Sequence, residues 1–146
     1  MDRNNLRKNL IQELAETNNV SYHEMETNYK NYQAHHIIPI EVLTEIFEVD
    51  CEDLSEDFNQ TWNGILLPIN GLDYSHHGSH PHYTEFVRNT LYSEIKQGKN
   101  TVMEVCQHIA TVIKFTIQDN CNNDWNGTIN VFEEYLYIIE KTLSDK

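Results

Sequence analysis

The sequence predicts one α+β domain, with elements in the order helix, strand, loop, strand and then helices. Three patterns carry that reading. Leu6, Leu10, Ile11 and Leu14 recur at helical spacing near the start of the chain. Two short apolar runs, Tyr32 to Ile38 and Gly64 to Ile69, are punctuated by proline as strands are. After Pro81, Tyr83, Phe86, Val87, Thr90, Leu91 and Ile95 return to helical spacing.

Taken in order, the first helix runs from about Asn4 to Thr17 and stops at Asn18-Asn19. A polar run to Asn31 leads into the first strand, which Pro39 ends because proline lacks the N–H that a strand ladder needs. Glu41 to Val49 reads as a short helix with Val42, Ile46 and Phe47 inward, and Cys51 to Gln60 as an acidic loop. Asn63-Gly64 opens the second strand. Pro81 suits a first helical position and Gly98 a helix stop. Thr101 to Gln118 is apolar enough to be a buried helix, Asp119 to Thr128 is turn-rich, and Ile129 to Leu143 is a last amphipathic helix. No repeat or linker divides the 146 residues, which gives one domain over 1–146.

Composition narrows the function. Ten basic against 23 acidic residues give a formal charge of −13. No apolar run approaches the ~20 residues of a membrane span. The polar N-terminus lacks a signal-peptide core, so a cytoplasmic site of action is expected, and Met1 suggests a free-standing chain. Cys51, Cys106 and Cys121 are odd in number and lack CxxC spacing, which fits reduced thiols in the core.

Six of the eight histidines fall between positions 35 and 82. Imidazole binds metals and shuttles protons near neutral pH. His76 and His80 are four apart, so a continuous helix would set both on one face as metal ligands. Gly78 and Pro81 favour a turn there instead, and a titrating loop with no further role is the competing reading. His35 and His36 would point to opposite faces of a regular strand, so a shared site needs the strand to end or distort. Asn63-Gly64 alone means only a turn.

The ordered set is more specific than its parts. Ala34-His35-His36-Ile37-Ile38-Pro39, then Asn63-Gly64-Ile65-Leu66-Leu67-Pro68, then His76 and His80 with Pro81 resembles the AHH branch of the HNH nucleases. These are ββα-metal endonucleases, frequent as bacterial toxin domains. The resemblance spans residues 32–87, within a motif core of about 32–97. It implies a ββα-metal finger flanked by an N-terminal helix and C-terminal helices. It implies His36 as the general base that activates water, with Asn63 orienting that base or steadying its loop. It implies His35, His76 and His80 as ligands of one divalent metal ion. His77, His82, Asp73, Lys30 and Arg88 are candidates for phosphate contact or accessory roles, and Asp73 is equally a solvent-facing turn residue.

Physical chemistry supports these roles. A neutral histidine about 3 Å from a water can take its proton, worth roughly 10²–10⁴ in rate. Imidazole ligands suit Zn²⁺, Ni²⁺ or Co²⁺ before Mg²⁺; Zn, Ni, Mn and Mg all stay open. The expected partners are DNA or RNA as substrate and a cognate immunity protein, with delivery into a target cell's cytoplasm where the chain is a piece of a larger toxin. Tyr32, Trp62, Tyr74 and Tyr83 are aromatic candidates for base stacking, or else core and rim residues. Charge is the objection: no Lys or Arg occurs from Asn31 through Val87, where phosphate binding would draw on them. Two readings therefore compete with a nuclease. One is an acidic inhibitor or immunity-type protein that imitates nucleic acid; the other is an inactive nuclease-derived module.

Overall fold

A computed structural model describes residues 4–68 and 81–121. The elements are α1 (Asn4–Asn18), α2 (Tyr22–Asn28), β1 (Tyr32–His36), α3 (Ile40–Phe47), β2 (Gly64–Pro68), α4 (Pro81–Lys96) and α5 (Val102–Cys121). Two 3-10 turns (Cys51–Asp53 and Glu56–Asn59) occupy the stretch expected to be a loop, and a third (Thr61–Asn63) follows it. β1 and β2 pair antiparallel, with His35 opposite Ile65 and His36 opposite Gly64. This mixture of helices with a small two-stranded sheet is the expected α+β class. The order β1, β2, α4 is that of a ββα core. The expected helix over 129–143 lies outside the described residues.

Two apolar clusters organise the fold. The larger joins Ile37, Ile38, Val42, Leu43, Phe58 and Ile65 to Val87 and Leu91 of α4 and to Val105, Cys106, Ile109, Ala110 and Ile113 of α5. Burying each of its Val, Leu, Ile and Phe side chains is worth roughly 1.5–3 kcal/mol. The smaller cluster, Ile11, Ala15 and Met25, binds α1 to α2, with Leu66 of β2 packed on it. α1 also closes on the sheet at Gly64: a Cβ added there would lie 2.5 Å from Leu6 Cδ1 and 3.0 Å from Leu10 Cδ1. Glycine at this position thus lets the helix approach the strand backbone.

Four boundaries differ from the sequence reading. α2 falls in the stretch read as a polar run, where no helix was expected. Ser21 caps it, its Oγ accepting from Glu24 N at 3.1 Å, and Met25 is buried. β1 stops at His36 rather than Ile38. The next two backbone donors turn onto Asn63, Ile37 N to its carbonyl at 2.9 Å and Ile38 N to its side-chain oxygen at 2.8 Å. α3 ends at Phe47, where Glu48 adopts a left-handed φ of 54°. α5 continues through Cys121, past the expected turn at Asp119. The stops at Asn19 (φ 56°) and Gly98 (φ 70°) fall where the sequence placed them.

Candidate active site

The site is built where β1 ends against the second and third 3-10 turns. Both turns bury an asparagine completely: Asn59 and Asn63 are each 0% exposed. A buried amide must spend its hydrogen-bonding capacity, and each does so differently. Asn63 Oδ1 accepts from Ile38 N, and Asn63 Nδ2 donates to Phe58 O at 3.1 Å. The side chain therefore stitches backbone to backbone, tying the chain after His36 to the turn that precedes β2. Both printed bonds of the Asn63 side chain go to backbone groups, Ile38 N and Phe58 O.

His36 is the last residue of β1 and is half-buried. Its Nε2 lies 2.8 Å from Asn59 Oδ1. Asn59 Nδ2 in turn donates to Glu56 Oε2 at 2.9 Å. Sequence reasoning missed both residues, because Glu56-Asp57-Phe58-Asn59 looks like part of an acidic loop. The available signal was the i, i+3 spacing of Glu56 and Asn59 around an apolar Phe58, whose burial anchors the turn. Phe58 packs at a tilt against Phe47 (centroids 5.2 Å apart) and edge-on to Trp62 (5.8 Å).

α1 and α5 brace these turns from two sides. Asn9 Nδ2 donates to Asn59 O at 2.9 Å, and Asn5 Nδ2 to Glu56 Oε2 at 3.3 Å. Lys114 of α5 donates from Nζ to Thr61 O at 2.6 Å. Burial pushes the Lys114 ammonium below its usual pKa, with Glu13 opposing that shift.

The other candidate residues fall as follows. His35 is half-buried beside His36 on β1. Lys30 is exposed in the turn ahead of β1. Arg88 ion-pairs with Glu45 at 2.7 Å and with Glu85 at 2.5 Å, and the hydrogen bond to Glu45 is the main reason its pKa is raised. Its charge is thus already engaged by two carboxylates. Tyr32 packs edge-on against Tyr29 (centroids 4.7 Å apart), and Trp62 belongs to the core margin. His76, His77, His80, Asp73 and Tyr74 lie outside the described residues, as do the side chains of His82 and Tyr83. Among the described residues, no three His, Cys, Asp or Glu side chains gather as a metal site. His35 is the one member of the expected ligand trio that is described, and its half-buried imidazole next to His36 suits a borderline divalent cation.

Away from His36, Thr44, Glu45, Glu48, Val49, Asp50 and Asp53 line an open groove. Its carboxylates would repel phosphate, so it is unsuited to the backbone of a nucleic acid. No described helix is long and apolar enough to cross a membrane.

Neither curated proteins nor solved structures gave a significant match to the sequence. A family model did: a nuclease family of the HNH/ENDO VII superfamily with conserved AHH matches residues 15–116, well over half of the chain. That span contains Ala34-His35-His36, both asparagine turns, β1, β2 and α4. The protein is a member of the AHH nuclease family of the HNH/ENDO VII superfamily.

Proposed function

We propose that this nuclease is a metal-dependent endonuclease that hydrolyses phosphodiester bonds, with His36 as the general base. The observation that carries the reading is the held imidazole of His36, its Nε2 fixed by buried Asn59 at the end of β1. A base fixed in one orientation is ready to take a proton from an attacking water without first reorganising. Asn63 maintains the backbone bend that places His36 at the strand end. His35, together with His76 and His80, would hold the metal ion. When bound, a divalent ion there offsets charge that develops on the phosphoryl and leaving-group oxygens. With so few cations in the core, substrate affinity is modest and its salt dependence shallow. In biological terms the reading is of a toxin-type effector with a cognate immunity protein.

The test is cleavage of plasmid DNA and of structured RNA by purified protein across a panel of divalent ions. Cleavage that a chelator abolishes and that His36→Ala loses while remaining folded supports the proposal. Intact substrate under every ion, from protein that instead captures a basic nuclease, overturns it in favour of an acidic inhibitor.

A further inference from the structure

We propose that Glu56, acting through Asn59, is a positioning device that keeps the proton of His36 on Nε2 and the lone pair on Nδ1, and that α1 completes this device. The inference rests on the reading of His36 as the base.

The argument is one of hydrogen-bond polarity. An ionised carboxylate offers acceptors only. Glu56 Oε2 therefore requires the amide nitrogen of Asn59, 2.9 Å away, to face it. That orientation leaves Asn59 Oδ1, an acceptor, against His36 Nε2 at 2.8 Å. A neutral imidazole facing an acceptor must place its proton on that nitrogen, so its lone pair is on Nδ1. Flipping the Asn59 amide would oppose its oxygen to the carboxylate and its nitrogen to the ring. The flip is costly because Asn59 is fully buried.

α1 holds the device at both ends of its turn. Asn5 donates a second amide N–H to the same Glu56 oxygen at 3.3 Å, which leaves that oxygen accepting from two directions. Asn9, one helical turn later, fixes the backbone carbonyl of Asn59 at 2.9 Å. Both residues precede residue 15, where the match to the family begins.

The experiment is a long-range proton–nitrogen correlation spectrum of the full, metal-free chain labelled with ¹⁵N-histidine, with His36→Gln identifying the ring signals. At a pH where His36 is neutral, wild type should show a protonated Nε2 and an unprotonated Nδ1. Glu56 is exposed, so Glu56→Ala should fold, yet it removes the carboxylate that orients the Asn59 amide and should give mixed tautomers. Glu56→Gln keeps a carbonyl oxygen for both amides and should restore the wild-type pattern. In cleavage assays Glu56→Ala should lower kcat by about 10–100-fold with KM little changed, and Glu56→Gln should recover most of it. A wild-type ring carrying its proton on Nδ1, or a Glu56→Ala spectrum identical to wild type, overturns the proposal. The expected spectra in a chain that cleaves nothing uphold the positioning device and overturn the nuclease reading instead.

Discussion

The second and third 3-10 turns differ in what their buried asparagines serve. Asn63 gives its amide to two backbone groups, Ile38 N and Phe58 O. Asn59, four residues earlier and equally buried, gives its amide to two side chains, His36 and Glu56. The first therefore holds the chain and the second holds an imidazole. A buried amide in either place is indispensable, but its loss should show in different measurements: stability at Asn63, catalysis around Asn59.

The largest effect should come from His36→Ala. Removing the base should reduce kcat by roughly 10²–10⁴-fold, with a smaller loss of stability, about 1–3 kcal/mol, because one buried acceptor, Asn59 Oδ1, loses the His36 ring. A loss of stability as large as that of Asn63→Ala would place His36 with Asn63 as a structural residue. Asn63→Ala should act in the opposite way. It strands two buried backbone groups, each costing about 1–3 kcal/mol, and chemical denaturation should report a loss of about that sum. An Asn63→Ala protein of wild-type stability would break the comparison.

Gly64→Ala extends the test to the neighbouring contact. The added methyl would press on Leu6 and Leu10, and α1 must shift at a cost of about 1–3 kcal/mol. Because α1 also carries Asn5 and Asn9, this variant should lose activity beyond its loss of stability, which kinetics at low temperature would separate.

A smaller, purely structural effect is expected at Cys106. Burial pushes its thiol up to about 11 from an ordinary 9.0. The folded state thus retains a proton that the unfolded state releases. Its stabilising contribution is complete below pH 9 and is lost as pH rises through about 11. A thiol reagent at pH 8 should therefore modify half-buried Cys51 well before Cys106, as peptide mass spectrometry would show. The smallest effect belongs to Arg88→Met, since partly exposed ion pairs contribute about 0.2–1 kcal/mol, and denaturation in low and high salt should show little change.

Much of the fold was legible because local signals were strong. The apolar stripe of α1, proline at the strand end and Gly98 with its left-handed φ each act over a few residues. α2 was not read, although Ser21 and Glu24 stand at capping-box spacing, because its short polar sequence hides its single buried anchor, Met25. The site was legible only in part. His35, His36 and Asn63 stand out through the order of their motifs, whereas Asn59 and Glu56 have no motif of their own. Their role arises from which face of a one-turn helix Phe58 buries.

The sequence by itself determined the α+β class, the order of the two strands and the following helix, the family, and His36 as the candidate base. Periodicity, proline and glycine placement and motif order are properties of neighbouring residues, and the chain alone carries them. Only the tertiary structure decided which asparagine holds His36 and which holds the backbone. It also decided that α1 reaches the site, and that Arg88 is paired with two glutamates. Apart from Arg88 with Glu85 and Asn63 with Phe58, three and five positions away, those outcomes depend on hydrogen bonds between residues 23 to 50 positions apart, including His36 with Asn59 and Asn9 with Asn59. Directional bonds of that kind form only once packing of the apolar core has fixed where each donor and acceptor points.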